Sequence, residues 1–207
     1  MSGNVRRRIG GWRQAGADLQ VLQWLQHGVK INFTNGPPPK YDMGSSCTDL
    51  TVEEQKFLDY EIDRQLTSGA WIETDNDGWV SRAFLAPKPG YLPNGVKKFR
   101  LVIDLRPVNK YCGDFDLRFE TLKTLQYLAR PNDWAIAFDL ADGYHAVSVH
   151  PEHRKYMTFR LNGKLYSASA LPFGWNGSPA TFCRIMRVLT RLLRAPDVPA
   201  RAPRGPE

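Results

Sequence analysis

Apolar residues recur at helical spacing in two long stretches of the chain, with shorter alternating stretches between them. After Thr51, the positions Phe57, Leu58, Ile62 and Leu66 fall on one face, the stripe by which a surface helix docks on a core. Thr51 and Glu54 stand as T-x-x-E, a capping box in which each side chain satisfies a backbone N–H of the first turn. Gly69 is a natural terminator. The second stretch, "GSPATFCRIMRVLTRLLR", carries Phe182, Ile185, Met186, Leu189, Leu192 and Leu193 at the same spacing. Arg184, Arg187, Arg191 and Arg194 lie off that stripe. Ser178 reads as its N-cap and Pro179 as N1, where a missing N–H costs nothing. Two shorter helices are predicted. "LQVLQWLQHG" is capped by Asp18, shares a face between Leu22 and Leu25 and closes at Gly28. "ETLKTLQYLA" sets Leu122, Leu125 and Leu128 in register.

Between the helices the pattern turns to strands. "WVSRAFLAPKPG" reads as extended with a Pro-Gly break, and "FRLVIDL" is rich in Val and Ile. "YMTFRL" and "KLYSASA" flank Asn162-Gly163, a pair that suits the two positive φ values of a type I′ hairpin. "NGPPPKYDMGSSCTD" is a loop by composition. Ala135 to Phe138 form an apolar run that ends on Asp139 and breaks at Gly143. An acid at a strand end is either a cap or turn residue, or a metal ligand on a rigid lip. This arrangement of elements is α+β.

Composition narrows the reading. The 207 residues are 42% hydrophobic and 12% aromatic, so the chain can bury a core and is not disordered throughout. The net charge of +7 suits a partner rich in phosphate. Cys47, Cys112 and Cys183 lie far apart and form no metal-ligand spacing, as expected of reduced thiols in an intracellular protein. His150 and His153, the only close histidine pair, read as surface residues. The basic start has no apolar segment behind it, unlike a secretory signal. No run approaches the roughly 20 apolar residues of a membrane span. Residues 1 to 50 read as a poorly defined N-terminal extension, residues 51 to 194 as the folded unit, and residues 195 to 207 as a disordered Pro/Arg-rich tail.

"FDLADGYH" is similar to the first catalytic motif of reverse transcriptases, and "LPFGWNGSPATF" to the motif that follows it. Upstream, "AFLAPKPG" and "KFRLVIDLRPVNK" resemble the fingers segments that hold the triphosphate. All four stand in family order. The "LPFG" spelling, with Phe173 where retroviral enzymes usually carry Gln, looks more like gypsy-type or DIRS-type retrotransposons.

The resemblance implies the fingers and part of the palm of a right-hand polymerase, acting on an RNA or DNA template with primer and on deoxynucleoside triphosphates. It implies chemistry with two magnesium ions about 3.5–4 Å apart. Asp139 matches the carboxylate bridging both ions, and the carbonyl of Leu140 a further ligand. Asp142, Gly143 and Tyr144 match the turn whose backbone meets the triphosphate. Tyr144 also matches the aromatic that excludes a 2′-hydroxyl, with a core aromatic as the alternative. Lys88 and Arg100 match the cations that clasp the β- and γ-phosphates, although Lys97 or Lys98 could substitute for Lys88 across the long "GYLPNGVKK" loop. Phe84 matches a template-stacking aromatic, and Arg106 a template-side arginine whose alternative is an ion pair with Asp104. Phe173, Gly174, Trp175, Gly177 and Pro179 match the loop whose backbone approaches the new base pair. A phenyl ring at Phe173 cannot hydrogen-bond as glutamine does.

The family carries a second metal-binding cluster, a pair of adjacent aspartates on a hairpin after this helix. No such pair occurs in the sequence, and Asp197 stands alone in a Pro-rich context. The expectation is a truncated reading frame that binds nucleic acid without polymerising. The alternative is a non-catalytic nucleic-acid-binding relic or interaction module of the same fold.

Overall fold

The computed structural model describes residues 5, 8–44, 47–115, 117, 123, 126, 132, 134 and 139–193. Its strands are β1 (Tyr41–Asp42), β2 (Trp71–Glu73), β3 (Trp79–Ser81), β4 (Ala83–Tyr91), β5 (Lys97–Ile103), β6 (Thr158–Leu161) and β7 (Lys164–Ala168). Its helices are α1 (Ile9–Gln14), α2 (Leu19–His27), α3 (Val52–Ser68), α4 (Arg106–Asn109) and α5 (Gly177–Leu193). Five strands form one sheet in the order β1-β3-β6-β7-β2, and β4 and β5 form a separate two-stranded sheet.

The hairpin β6–β7 is the centre of the larger sheet. Asn162 and Gly163 turn it at φ 47° and 75°, as that dipeptide predicts. Phe159 and Leu161 are fully enclosed, and Trp71 meets Phe159 edge-on at 4.8 Å between centroids. Burying such side chains contributes about 1.5–3 kcal/mol each. Two hydroxyls inside the sheet, Thr158 and Ser167, hydrogen-bond to each other at 2.7 Å, so neither is left unpaired. Helix α3 begins at the predicted capping box and ends on Gly69 in the left-handed region. It buries Phe57 and Leu58, and also Gln65, while Ile62 and Leu66 are half-buried.

Several expectations are corrected. The stretch from Asn35 is not all loop, because Tyr41 and Asp42 pair in parallel with Trp79 and Val80. The Pro-Gly break does not end its strand: β4 runs through to Tyr91, with a register shift between Pro87 and Tyr91. Pro87 keeps its register opposite Phe99, as an edge strand allows, and the register shift spans Pro89 and Gly90. In α2, Asp18 caps as expected, but the buried pair is Val21 and Leu25 rather than Leu22 and Leu25. In α5 the helix already includes Gly177, and the Ser178 hydroxyl donates to the carbonyl of Pro172 instead of capping. The buried face of α5 is Ser178, Thr181, Ile185 and Val188, and Leu192 and Leu193 are exposed.

His153 is not a free surface residue. Its Nδ1 accepts from the backbone N–H of Ile31 at 3.1 Å. Val21, Leu25, Val29, Ile31 and Cys47 share one core with the later strands. The three cysteines are unpaired, and burial raises the thiol pKa of each. No helix among the described residues is long and apolar enough to cross a membrane. The apolar run Ala135 to Phe138, the tail after Arg194, and all of the predicted helix "ETLKTLQYLA" except Lys123 and Gln126 lie outside the described residues.

Candidate nucleotide-binding site

Two backbone hydrogen bonds around one antiparallel bridge bring the predicted motifs together. The amide of Leu171 donates to the carbonyl of Val147 at 2.9 Å, and the amide of Val149 to that of Ser169 at 2.8 Å. Ser148 and Ala170 form the bridge between them. The turn of residues 139–144 therefore sits beside the "LPFGWNG" loop. Side chains complete the joint. Tyr144 lies 4.9 Å from Phe173 and 5.3 Å from Phe182, measured between ring centroids. Gly143 passes so close that a Cβ there would stand 2.8 Å from the Phe182 ring. Burial raises the Tyr144 phenol pKa.

A cleft of about 680 Å³ opens on this joint. Of the predicted residues, Lys88, Arg100, Asp142, Phe173 and Gly174 line it together. They come from the β4–β5 hairpin, the turn after Asp139 and the loop before α5. Lys88 and Arg100 are exposed and make no ion pair among the described residues. Phe57 anchors the hairpin by packing on Phe99 at 5.6 Å.

The loop that forms the opposite wall is tightly held. Gly174 has φ +95°, and a Cβ there would meet the carbonyl oxygen of Ile103 at 2.7 Å. Only glycine meets both demands. The Trp175 ring is buried, and a Cβ on Gly177 would run into it. Trp175 and Gly177 can thus meet a ligand only through backbone. Pro179 lies in the first turn of α5. Phe173, at 64% exposure, projects into solvent.

The remaining predicted residues are more scattered. Phe84 is partly exposed on β4 opposite Val102. Arg106 forms the alternative ion pair: its Nε and Nη2 reach the Asp104 carboxylate at 2.8 and 2.7 Å. Those hydrogen bonds hold the Asp104 pKa below its ordinary value. Asp139 and Leu140 are both exposed, and the Leu140 carbonyl accepts from the Gly143 amide at 3.2 Å.

Three residues of the site were not singled out from the sequence. Asn109 clamps the loop from both sides, donating to the Gly174 carbonyl at 2.8 Å and accepting from the Asn176 amide at 3.1 Å. Arg64 donates to both oxygens of Glu61 and, through Nη1, to Asp142 at 2.9 Å. His145 lines the cleft, and burial keeps its pKa below the ordinary value, an effect that nearby Asp142 partly offsets. The i, i+3 spacing of Glu61 and Arg64 suggests a helix pair, but nothing local points either toward Asp142.

The oxygens on offer do not make a two-magnesium site by themselves. Asp142 is bound by Arg64, the Leu140 carbonyl is bound by an amide, and Asp139 remains. Among the described residues no group of three or more His, Cys, Asp or Glu is placed to hold a metal. Magnesium requires near-octahedral oxygen coordination, which this set does not supply.

The fold is the α+β fingers-and-palm arrangement of retroviral reverse transcriptases. The native prototype foamy virus protease–reverse transcriptase superposes with a TM-score of 0.61 at 22% identity, over 82% of this chain and 21% of that one. A selenomethionine-labelled mutant of the same viral protein gives 0.61 at 24% identity, over 80% and 21%. A foamy viral protease–reverse transcriptase in complex with double-stranded DNA gives 0.57 at 18%, over 93% and 35%. The chain thus spans about a fifth of the length of the first two proteins it matches. Residues 86–198 match the family model described as reverse transcriptase (RNA-dependent DNA polymerase). The chain belongs to the reverse transcriptase family.

Proposed function

We propose that this chain supplies the fingers and part of the palm of an RNA-directed DNA polymerase, and that its cleft receives the triphosphate of an incoming deoxynucleotide. One observation carries the reading: a single cleft unites Lys88 and Arg100 with Asp142, Phe173 and Gly174. Lysine there acts as a point charge and arginine as a fork for phosphate oxygens. Gly143 and Tyr144 follow Asp142 in the turn beside the cleft, and the Tyr144 ring, packed at a tilt on Phe173, occupies the level of the sugar. That ring fills the space of a 2′-hydroxyl, which selects deoxyribose. Template bases stack on Phe84, and Arg106 holds the template backbone in its pair with Asp104. The loop of Gly174, Trp175, Gly177 and Pro179 presents backbone to the new base pair. Phe173 in place of glutamine supports a gypsy-type or DIRS-type retrotransposon as the source.

Divalent magnesium belongs to the proposed chemistry of the family, with Asp139 as its ligand here. Bound magnesium ions would neutralise charge on the attacking and leaving oxygens. The donor set falls short of two ions, so the chain by itself binds primer–template and does not extend it. This shortage also supports the second reading, a non-catalytic nucleic-acid-binding module of the same fold.

The test is extension of a labelled primer on an RNA template with magnesium or manganese, beside an Asp139→Asn control. Binding is measured in parallel across a salt series, since phosphate contacts weaken steeply as salt rises. Salt-sensitive binding without extension is expected. Extension that disappears in Asp139→Asn would show a complete metal site in this chain. Absence of any binding would end both readings.

A further inference from the structure

The cleft that would receive a triphosphate contains two carboxylates, Glu61 and Asp142, beside its three cations Arg64, Lys88 and Arg100. An acid facing an incoming polyanion is unfavourable unless its charge is taken up elsewhere. Arg64 does this for both acids. Its Nε and Nη2 pair with Glu61 at 3.0 and 2.9 Å, and its Nη1 reaches Asp142 at 2.9 Å from another part of the chain. Gln65 donates to the same Glu61 at 2.7 Å, which fixes the base of the bridge. The backbone at Asp142 has φ +50°, a left-handed conformation that non-glycine residues hold only with support. The only charged partners of Asp142 among the described residues are Arg64 and, at 4.0 Å, His145. Burial keeps His145 toward its neutral form, so the bridge falls to Arg64.

We infer that Arg64 is a positioning residue for the triphosphate: it holds Asp142 in the left-handed turn that presents Gly143 and Tyr144, and it turns that carboxylate's charge away from phosphates entering between Lys88 and Arg100. The inference rests on the reading of the cleft as a triphosphate site. Arg64 need not touch the nucleotide. Its effect on the nucleotide passes through Asp142, so changing Asp142 should undo the effect of losing Arg64.

The probe is dTTP in EDTA, followed by equilibrium dialysis at low salt, so that affinity reads the side chains alone. Arg64→Gln is expected to weaken binding about tenfold, the scale of one lost charge-assisted contact. Arg64→Lys keeps the charge and should recover most of the loss. Arg64→Gln with Asp142→Asn should bind within about threefold of Asp142→Asn alone, because without the carboxylate Arg64 has nothing left to hold. Asp142→Asn alone is the reference for that comparison, because it removes the carboxylate through which Arg64 is held to act. Arg64→Gln binding as wild type, or Arg64→Gln weakening the Asp142→Asn variant about as much as it weakens wild type, would each overturn the role of Arg64. A double Lys88→Ala, Arg100→Ala variant separates the two levels. If it binds dTTP as wild type does, or if wild type does not bind dTTP, the cleft reading itself fails.

Discussion

The β4–β5 hairpin and the loop before α5 line the same cleft, yet they are held in opposite ways. The hairpin is a two-stranded ribbon outside the main sheet, joined to the body by Phe99 against Phe57, and its Lys88 and Arg100 are exposed. The loop is fixed at nearly every residue. Pro172 accepts from Ser178, Gly174 fits against the Ile103 carbonyl, Trp175 is buried, and Asn109 grips two backbone groups. The contrast follows from what each would offer a nucleotide. A charge on a long side chain acts over several ångströms and tolerates a moving support. A backbone surface has no reach of its own, so it must be placed in advance. The two meet where Gly174 touches Ile103, the last residue of β5.

The largest expected effect lies at that meeting point. Gly174→Ala adds a Cβ to a residue at positive φ and drives it into a backbone oxygen. Together the conformational and steric penalties come to about 3 kcal/mol of lost stability. Urea denaturation measures this, and a loss under about 1 kcal/mol would mean that the loop is not fixed there and that the contrast fails. Asn109→Ala should cost less, about 1–2 kcal/mol, for two hydrogen bonds to backbone. Faster hydrogen exchange at the Asn176 amide, without change in β4–β5, would place that loss in the loop.

The hairpin should behave in the reverse sense. Lys88→Ala and Arg100→Ala are surface changes, expected to alter stability by no more than about 0.5 kcal/mol while weakening salt-sensitive binding of dTTP. Thermal melts and binding isotherms on the same samples give the comparison. A variant that lost stability in proportion to its binding would show that the hairpin cations also hold the fold together.

The sequence was most legible where structure is local. The capping box at Thr51 and Glu54 and the turn at Asn162-Gly163 involve residues within a few positions of one another, and both form as read. The four-motif order was enough to group Lys88, Arg100, Asp142, Phe173 and Gly174 at one cleft. Pairing across long separations was not legible. Strand β1 exists because Tyr41 finds Trp79, and Ser178 left its expected cap for Pro172 because the loop folds back over the helix start. Arg64 lies outside every motif, and Asn109 stands in "KFRLVIDLRPVNK" with nothing local to mark its role. Their importance comes from reaching residues 78 and 65 positions away, which only the fold reveals.

The smallest expected effect is a dependence on pH confined to the loop side of the cleft. Burial holds His145 below the ordinary histidine value of 6.5. In the unfolded chain it regains that value, so on acidification the unfolded state takes up its proton first. Stability attributable to His145 is therefore fully present above about pH 6.5 and declines as pH falls below it. His150 and His153 are shifted in the same direction, also first by burial, so the wild-type slope belongs to all three. Asp104 titrates in a separate window. Its pKa lies below 3.8 because of its hydrogen bonds to Arg106, and its contribution is lost only as pH falls through the carboxylate range. His145→Phe isolates one share. Phenylalanine keeps an aromatic ring near Phe173, whose centroid lies 6.3 Å from that of His145, and it cannot titrate. The loss of stability between about pH 7.5 and about pH 5.5 should shrink in this variant but not vanish. Exchange at the Asn176 amide should become less sensitive to pH, while exchange in β4–β5 stays as in wild type. An unchanged slope would mean that His145 is not buried against the loop as described. A change that spread equally into the hairpin would mean that the two walls of the cleft move as one, and the distinction between a fixed backbone wall and a reaching cationic wall would have to be given up.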